Sequence, residues 1–456
     1  MSARLAVESL AARAAARLSR LAGTGGGTTL PGKLLWKLDP GAIDALAARL
    51  PQGAVAVSAT NGKTTTTAMV AEILGPGTKL AWNRSGANLV SGVASTLLDV
   101  RDAELGLLEV DEAALPEVAR RVRPRALLLG NLFRDQLDRY GELEHVADGW
   151  RTMVAGMGSE AILVVNGDDP QVGDLGRDRG STVVYGLDDP RHARAAMQHA
   201  ADSRYCIRCG HPYDFAAAYV GHLGDYSCPS CGHSRPELRV AARAIELNGL
   251  ESASFELVTP AGSIRVALRL PGLYNVYNAV GAAALAQTLG ASLEEIRAGL
   301  DRFGAAFGRF ERIASGDKTI LVLLIKNPAG ANEVVRTLED GGAPQVLLIA
   351  LNDAIADGKD VSWIWDIDLE PLLDSTEHLI ATGDRAAELG LRCVYGGLPE
   401  SSLELEDDLE RALDRGLELT PPGGELVVLP TYTAMLALQR IVTERGLTRP
   451  YWESKA

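Results

Sequence analysis

Short apolar runs, each about the length of one β-strand, alternate with helix-spaced segments through the first part of the chain. The runs are AVAVSA at 54–59, LGLLEV at 105–110, ALLLGN at 126–131, AILVVN at 161–166 and TVVYG at 182–186. Segments with helical spacing lie between them, such as TTAMVAEIL at 66–74. Strands that are apolar on both faces are typical of a sheet covered by helices on both sides. The alternation therefore predicts an α/β fold with a parallel sheet.

The pattern changes after residue 202. Residues 237–270 predict antiparallel strands with turns at Asn248-Gly249 and at TPAG (259–262), and residues 274–290 predict a helix. A second α/β block follows from about residue 318. Its predicted strands are ILVLLI, QVLLIAL, HLIATG, RCVYG and ELVVLP.

These changes divide the chain into three predicted parts. Residues 3–22 predict an Ala/Arg/Leu helix that ends at GTGGG (23–27), because runs of glycine are costly to order. The parts are a helical N-terminal lead-in at 1–48, a central domain at 49–314 with an insertion at 202–236, and a C-terminal α/β domain at 315–456.

Composition and charge exclude several classes of protein. Of the 456 residues, 46% are apolar and 23% are charged, which is typical of a globular chain and not of a disordered or collagenous one. The net charge of −14 argues against a nucleic-acid partner bound on a basic face. No apolar run reaches the roughly 20 residues that a membrane helix needs, and the N-terminus lacks the apolar block of a secretory signal. We expect a cytoplasmic protein without an integral membrane segment.

The segment SATNGKTTTT at 58–67 has the composition of a phosphate-binding loop. It lies between a predicted strand and a predicted helix, and N–H groups at the start of a helix bind phosphate oxygens. Lys63 would reach the β- and γ-phosphates of a nucleotide, and Thr64 or Thr65 would hold Mg²⁺. The predicted nucleotide contacts are Thr60, Asn61, Gly62, Lys63, Thr64 and Thr65. An ordinary turn with an exposed lysine is the alternative, since Val57 stands where the full motif has its first glycine.

Four of the five cysteines form two C-x₂-C pairs. The pairs are Cys206 with Cys209 and Cys228 with Cys231. This spacing predicts a structural zinc ion held by four thiolates, which leaves no coordination position for substrate. Two redox-active pairs are the alternative. We expect His211 and His233 to be turn residues rather than ligands, and Cys393 to be a core residue in an apolar strand.

The segment EVDEA at 109–113 places carboxylates at the end of a predicted strand. Side chains at the C-terminal ends of parallel strands face the ligand crevice of an open α/β sheet. Carboxylate oxygens are the ligands that Mg²⁺ prefers, so Glu109 is a predicted catalytic residue that binds the metal. Asp111 and Glu112 are further candidates, and a solvated acidic loop is the alternative.

Seven segments occur in an order that resembles the Mur ligase superfamily, whose members join carboxylates to amines. They are TNGKTTT, NRSGANLVSG, EVDEA, GNLFRDQLDRYGE, NGDDP, LPGLYNVYNAVGAAALA and FGRFE. The resemblance implies ATP and Mg²⁺ as cofactors, a Mur-ligase-like central domain and a Rossmann-like C-terminal domain. It also implies Glu109 as a metal ligand, Asn275 near the adenine and Arg309 on a phosphate. A helix N-cap is the alternative for Asn275, and a surface salt bridge for Arg309.

Two departures from that superfamily change the picture. Asp135 and Asp138 match its D-x-L-D segment, but Gln136 replaces the usual histidine and puts a second metal position in doubt. No lysine occurs between Lys79 and Lys318. The central domain therefore cannot carry the carbamylated lysine that amino-acid-adding members use to bind Mg²⁺.

A closer resemblance is to the MurT family, the Mur-ligase-like subunits of lipid II isoglutaminyl synthase. It rests on GGGTTLPGKLLWKLDP, the cysteine insertion, KNPAGANEV at 326–334 and the loop LND…DGKDVSWIWD within 351–366. It implies ATP-dependent amidation of the D-glutamate α-carboxylate of the lipid II stem peptide through an acyl phosphate, with ammonia from a GatD-type glutaminase subunit. An aspartate of the loop would complete the catalytic triad of that partner. The candidates are Asp353, Asp357 and Asp360.

Two other functions stay open at this point. One is an amino-acid-adding Mur-type or folylpolyglutamate-type ligase, and the other is a non-catalytic ATP-binding scaffold. Core packing is the expectation for Trp363 and Trp365 of the loop. The lipid carrier of the implied substrate would place the chain at the inner membrane surface.

Overall fold

A computed structural model describes residues 29–83, 87–99, 102–135, 143–194, 201–304, 310–342 and 344–448. The predicted helix at 3–22 and the predicted site residues Gln136, Asp138 and Arg309 lie outside the described residues. Within the described part, no helix is long and apolar enough to cross a membrane.

The first half of the chain folds around a nine-stranded sheet with helices on both faces. In chain order the strands are β1 (Ala54–Ser58), β2 (Leu80–Trp82), β3 (Leu105–Glu109), β4 (Ala126–Leu129), β5 (Ile162–Asn166), β6 (Thr182–Leu187), β7 (Asp214–Val220), β8 (Leu223–Ser227), β9 (Val240–Asn248), β10 (Ser252–Thr259) and β11 (Gly262–Leu268). The helices are α1 (Leu30–Leu38), α2 (Ala42–Ala47), α3 (Lys63–Leu74), α4 (Val90–Asp99), α5 (Leu115–Val122), α6 (Leu143–Gly156), α7 (Pro170–Leu175), α8 (Leu273–Thr288) and α9 (Leu293–Arg302), and one 3₁₀ turn covers Pro190–His192. All the strands except β7 and β8 belong to the sheet, so the predicted α/β class is confirmed.

The loop after β1 lies where the winding of the sheet reverses. The strand order is β11-β10-β9-β6-β5-β4-β1-β3-β2, and β1 pairs in parallel with β3 on one side and β4 on the other. The chain therefore leaves β1 and β3 toward opposite sides, which opens a crevice at the C-terminal end of β1. Ligands of open α/β sheets bind at such a point.

The central strand β1 is buried along its whole length. Val55 and Val57 pack into the core on one face of the sheet, and Ala54 and Ala56 pack into the core on the other. Because successive side chains of a strand point to opposite faces, this strand needs an apolar residue at every position. The lead-in helix α1 covers the second face with the fully buried Leu35.

The sheet ends in the antiparallel strands that residues 237–270 predict. β9 pairs with β10 and β10 with β11 in antiparallel register. The first turn uses Gly249, whose φ of +52° lies in the region that favours glycine. The predicted helix at 274–290 corresponds to α8, which packs on α3 and against the sheet.

The strands β7 and β8 form a separate antiparallel hairpin inside the predicted insertion. Its small core contains Tyr213, Tyr226, Cys206 and Cys228, with Phe215 packed against them. We call residues 202–236 the ribbon.

A second, six-stranded sheet follows in the C-terminal part. Its strands are β12 (Glu311–Ser315), β13 (Lys318–Val322), β14 (Val346–Ala350), β15 (His378–Thr382), β16 (Leu403–Leu405) and β17 (Glu425–Pro430), in the order β12-β13-β17-β14-β15-β16. The helices are α10 (Pro328–Gly341), α11 (Glu370–Leu373), α12 (Ala386–Tyr395), α13 (Leu409–Leu419) and α14 (Tyr432–Glu444), with 3₁₀ turns at Ser362–Asp366 and Glu400–Ser402. All pairs are parallel except β12 with β13.

Two expectations for this part need correction. The run RCVYG is not a strand, since it ends helix α12, and Cys393 is a buried helix residue there. Ala386, Leu389 and Cys393 recur at helical spacing on the buried face of α12, which explains the outcome. The predicted domain division at residue 315 falls inside β12, which already belongs to the second sheet.

Candidate functional site

The loop between β1 and α3 has a fixed shape. Gly62 is the N-cap of α3 with φ +84°, and a Cβ there would lie 2.0 Å from Asn278 Oδ1, so only glycine fits. The backbone N–H of Thr60 donates to the Asn131 carbonyl, and that of Asn61 donates to Asn131 Oδ1, both at 2.9 Å. The segment after β4 therefore holds the loop in place. The N–H groups at the N-terminus of α3 can donate hydrogen bonds to a phosphate.

Lys63 lies inside the protein, and only 7% of the residue is exposed. Its Nζ donates to Glu112 Oε2 at 3.0 Å and to the Ala59 carbonyl at 3.1 Å. Burial alone would lower the pKa of Lys63, but the neighbouring carboxylates, Glu112 first, raise it. The alternative of an exposed lysine is therefore wrong. The loop holds a buried cation at the start of a helix.

Glu112 is the counter-ion of that cation. Burial favours its neutral form, but Lys63 and then Lys326 lower the pKa of Glu112 below its ordinary value. The residue is 6% exposed, so the pair is almost completely withdrawn from water. A phosphate oxygen that approached Lys63 would offer the same charge as the Glu112 carboxylate.

Glu109 and Thr64 bring two oxygen atoms to one point beside the loop. Thr64 Oγ1 donates to Glu109 Oε1 at 3.0 Å, and Asn88 Nδ2 donates to the same oxygen at 3.2 Å. Asn83 holds the backbone N–H and carbonyl of Glu109, each at 2.8 Å. A hydroxyl and a carboxylate next to a phosphate loop fit a hard divalent cation such as Mg²⁺. The alternative of a solvated acidic loop is wrong for Glu109, which is 1% exposed.

A cavity of about 910 Å³, open to solvent at its mouth, lies between the two sheet-bearing parts of the chain. Asn61, Gly62 and Thr65 line it on the side of the phosphate loop. Lys326 and Gly330 line it on the C-terminal side. The cavity lies where the sheet topology makes room for a ligand.

Asn275 reaches the same cavity from the first turn of α8. Its Nδ2 donates to the Pro271 carbonyl at 2.8 Å, and its Oδ1 accepts from Asn278 Nδ2 at 3.2 Å. The N-cap of α8 is Gly272, so the alternative of an N-cap role for Asn275 is wrong. Its contact with an adenine stays a prediction.

Polar contacts join the two parts of the chain across the cavity. The side chains of Asn61 and Asn327 exchange two hydrogen bonds, at 3.0 and 3.2 Å. Lys326 Nζ lies 2.5 Å from Asp135 Oδ2. Burial raises the pKa of Asp135, although Lys326 opposes that shift. The C-terminal part thus supplies a second cation to the site.

The three candidate aspartates of the 351–366 loop have different environments. Asp357 is buried and accepts hydrogen bonds from the Thr433 N–H at 2.8 Å and hydroxyl at 2.5 Å. Burial raises the pKa of Asp357. Asp353 pairs with Arg385 at 3.0 Å, and that guanidinium lowers the pKa of Asp353. Asp360 is exposed and accepts from the Ser362 N–H at 2.8 Å.

The two tryptophans of that loop differ in their exposure to solvent. Trp363 is partly buried against the core, as expected. Trp365 is 49% exposed, so the expectation that it packs in the core is wrong. Its ring lies against Tyr395, with centroids 5.9 Å apart, and Tyr395 is itself 76% exposed. Two aromatic rings therefore form an apolar surface patch.

The four cysteines of the ribbon come together at its end. Their Sγ atoms all lie within 4.8 Å of one another, with Cys206–Cys231 and Cys209–Cys228 at 3.5 Å each. Tetrahedral ligation at about 2.3 Å from a zinc ion would separate the sulfurs by about 3.8 Å. The cluster therefore fits one metal ion.

Each C-x₂-C pair forms the same turn. The N–H of Gly210 donates to the Cys206 carbonyl at 2.8 Å, and that of Gly232 donates to the Cys228 carbonyl at 2.9 Å. Both glycines have positive φ, +73° and +74°. The repeated geometry orients the thiols of each pair toward the other pair.

His211 and His233 of the ribbon lie outside the sulfur cluster, as expected. His211 is exposed beside Pro212. His233 is buried, with Nδ1 2.7 Å from the Tyr213 hydroxyl and Nε2 3.1 Å from Asp174 Oδ1. It ties the ribbon to helix α7.

Sequence reasoning did not single out three residues of the site. Asn88 supports Glu109, Asn131 supports the phosphate loop, and Lys326 crosses from the C-terminal part. Each lies in a segment that carries the family resemblance, but no local spacing distinguishes it from its neighbours. Their roles depend on contacts between distant segments.

A double-mutant cycle should reveal the buried Lys63–Glu112 pair. Lys63→Met or Glu112→Gln alone should lower the free energy of unfolding by about 3 kcal/mol, because each leaves one charge buried and unpaired. The double variant should recover much of that loss. Denaturant unfolding followed by circular dichroism measures all four proteins. As a control, Asp148→Asn in the exposed Arg151–Asp148 pair should change the stability by less than about 0.5 kcal/mol.

The same cycle has a defined pH dependence. Because the pKa of Glu112 is lowered, its contribution to the free energy of unfolding is fully present above pH 4.5, its ordinary pKa. That contribution is lost as the pH falls through the lowered pKa. Because the pKa of Lys63 is raised, its contribution to the free energy of unfolding is fully present below pH 10.5, its ordinary pKa. That contribution is lost as the pH rises through the raised pKa. Single variants as stable as the parent, or a coupling that strengthens in acid, would contradict the pair.

Comparison with known proteins agrees with this architecture. The family model of the Mur ligase middle domain matches residues 57–226, and that of the MurT ligase C-terminal region matches residues 324–435. The pseudomurein peptide ligase type C from Methanothermus fervidus shares the fold, with a TM-score of 0.70 and 22% identity over 88% of this chain and 80% of that one.

Two curated relatives match over nearly the whole length. The MurT subunit of lipid II isoglutaminyl synthase (glutamine-hydrolyzing) from Streptococcus pneumoniae is 33% identical over 448 residues, 95% of each chain. The same subunit from Staphylococcus aureus strain N315 is 31% identical over 429 residues, 93% of this chain and 94% of that one. The chain therefore belongs to the MurT family of ligase subunits, within the Mur ligase superfamily.

Proposed function

We propose that this chain is the synthetase subunit of a lipid II isoglutaminyl synthase. It uses ATP to convert the α-carboxylate of D-glutamate in the lipid II stem peptide to an amide, with ammonia as the amine. One observation carries the proposal: in a chain of the MurT family, the buried Lys63 and the Thr64–Glu109 oxygen pair stand beside a cavity lined by both sheet-bearing parts. Because the substrate carries a lipid, we expect the reaction at the inner membrane surface.

The first step activates the carboxylate. A carboxylate oxygen attacks the γ-phosphorus of ATP in line, and the bond from that phosphorus to the ADP oxygen breaks, which gives an acyl phosphate and ADP. Lys63 moves from Glu112 to the phosphates and offsets the charge that develops on them. Thr64 and Glu109 would hold Mg²⁺, which neutralises phosphate charge when bound.

The second step forms the amide. The nitrogen of ammonia attacks the acyl carbon, the carbon–oxygen bond to phosphate breaks, and the nitrogen loses a proton. Water would compete for the same carbon, so the reaction needs a closed cleft. The Asn61–Asn327 and Lys326–Asp135 contacts hold the two parts together over the cavity and support this requirement.

Ammonia comes from a GatD-type glutaminase subunit that docks on the 351–366 loop. Asp360 completes the catalytic triad of that partner. It is the exposed candidate, whereas Asp357 is committed to Thr433 and Asp353 to Arg385. The exposed Trp365–Tyr395 patch offers apolar area on the same part of the chain, which favours a protein partner.

Amidation should not need the partner when ammonia is supplied directly. Lipid II incubated with this chain, ATP, Mg²⁺ and an ammonium salt should have one carboxyl converted to a carboxamide, as measured by mass spectrometry. Lys63→Met should abolish the product, because the transferred phosphoryl group loses its cation. A product that contains an added amino acid would indicate an ordinary Mur-type ligase instead. No product even with the glutaminase subunit and glutamine would contradict an enzymatic function.

The same assay separates the partner's chemistry from that of this chain. With the glutaminase subunit and glutamine, Asp360→Asn should lose product while the ammonium-dependent reaction stays at the parental rate. Glu404→Gln, a surface change on β16, is the matched control and should affect neither reaction. Equal loss of both reactions in Asp360→Asn would contradict its assignment to the partner's triad.

The ribbon cysteines hold a structural zinc ion. Four thiolates close a tetrahedral shell, so the ion takes no part in the reaction. Burial opposes ionisation of Cys206, but the N–H groups of Arg208 and Cys209 lower the pKa of this thiol to about 6. One thiol is thus ready to ligate a metal near neutral pH, and metal binding would ionise the others.

Metal analysis tests this assignment. The purified chain should contain one zinc ion, and Cys209→Ser should lose it together with several degrees of melting temperature, because the ribbon core is small. Cys393→Ala removes the cysteine outside the ribbon and should retain the zinc. A parent chain without zinc, or Cys209→Ser with full zinc content, would show that the cluster is not the metal site.

A further inference from the structure

The ribbon hairpin has two functional ends. The cysteine cluster lies at one end, and the tip between β7 and β8 lies at the other. The tip is buried rather than exposed: Val220 is 5%, His222 0% and Leu223 2% exposed. Val220 and Leu223 line the same cavity as Gly62 and Thr65 of the phosphate loop. The insertion therefore carries the cysteine cluster at one end of its hairpin and lines the candidate nucleotide site with the other end.

Close packing holds the tip against the segment that follows β4. Gly221 has φ +55°, and a Cβ there would lie 2.8 Å from the Phe133 ring. The rings of Phe133 and His222 have centroids 4.6 Å apart. The Phe133 N–H donates to Thr60 Oγ1 at 3.1 Å. One residue thus contacts the tip with its side chain and the phosphate loop with its backbone.

The C-terminal part holds the tip from the opposite side. Arg336 of α10 donates from Nη1 to the Tyr219 carbonyl at 3.1 Å and from Nη2 to the His192 carbonyl at 3.3 Å. Arg194 donates its N–H to the Ala218 carbonyl at 2.7 Å. The tip therefore bridges both sheet-bearing parts where they enclose the cavity.

Both polar and apolar groups line the cavity. The polar lining includes Asn61, Gly62 and Thr65 of the phosphate loop. The apolar and aromatic lining includes Phe133, Val220, Leu223, Leu270, Phe310 and Leu324. A purine base offers two apolar faces and a polar edge, and the side-chain amides of Asn275 and Asn278 also line the cavity.

We infer that the ribbon tip forms the base-binding wall of the nucleotide pocket, with Val220 and Leu223 in contact with the purine. This inference rests on the proposed use of ATP. It assigns the ribbon a role in nucleotide binding that a purely structural insertion would not have. It also couples the two ends, so that metal at the cysteines strengthens nucleotide binding at the tip.

The coupling follows from the size of the hairpin. An isolated two-stranded hairpin is at best marginally stable in water, and the ribbon core contains few large side chains. A metal ion that joins four cysteines keeps both strands in register up to the tip. Linkage is reciprocal, so bound nucleotide should slow the loss of metal by stabilising the tip.

Nucleotide affinity of the full-length chain tests the wall. Isothermal titration calorimetry with ADP and Mg²⁺ should show roughly fivefold to tenfold weaker binding for Leu223→Ala, because buried apolar contact with the base is lost. Leu413→Ala is the matched control, since Leu413 is equally buried but lies in α13, away from the cavity lining. It should bind ADP like the parent. Parental affinity in Leu223→Ala, or equal weakening in both variants, would overturn the assignment.

ADP affinity measured after metal removal tests the coupling between the cysteine cluster and the ribbon tip. A chelator that prefers zinc to magnesium should weaken ADP binding, and added zinc should restore it. A stripped chain that keeps its circular dichroism spectrum and its full ADP affinity would overturn the coupling. A zinc-loaded parent that binds no nucleotide would instead contradict the proposed use of ATP, so the two failures are distinguishable.

Discussion

A buried positive charge at the end of the central strand constrains the whole site. Lys63 is fixed by the turn of α3 and withdrawn from water, so a negative group must always lie within reach of its Nζ atom. In this structure Glu112 meets that need, and a nucleotide phosphate would meet it during the reaction. The asparagines around the loop and the reversal of the sheet beside β1 make room for that exchange.

The enclosure of the cavity depends on contacts from three separate segments. The central sheet supplies the phosphate loop, the C-terminal part supplies Lys326 and Asn327, and the ribbon supplies its buried tip. An activated carboxylate survives only where water is excluded, so a site of this kind requires closure by more than one part of the chain. The buried ribbon tip is one of the parts that line this cavity.

Local spacing predicted much of this architecture. The strand-to-helix phosphate loop and the paired cysteines are recognisable because their chemistry depends on residues close in sequence. Glu112, Lys326 and Leu223 could not be assigned in this way, because their roles arise from contacts between distant segments, such as that between Asp135 and Lys326, which are 191 residues apart. Trp365 was misjudged for a related reason, because an apolar residue beside a surface loop gives no local sign of which face it occupies. Cys393 is buried as expected, but the short apolar run that contains it does not distinguish a strand from the end of a helix.

Isotope transfer tests carboxylate activation most directly. Lipid II with ¹⁸O in both oxygens of the D-glutamate α-carboxylate would be amidated by this chain with ATP and ammonium, and the released phosphate analysed by mass spectrometry. The account predicts that each phosphate carries one ¹⁸O atom, because that oxygen bridges carbon and phosphorus in the acyl phosphate. Unlabelled phosphate, with amide formed at the same rate, would contradict the account.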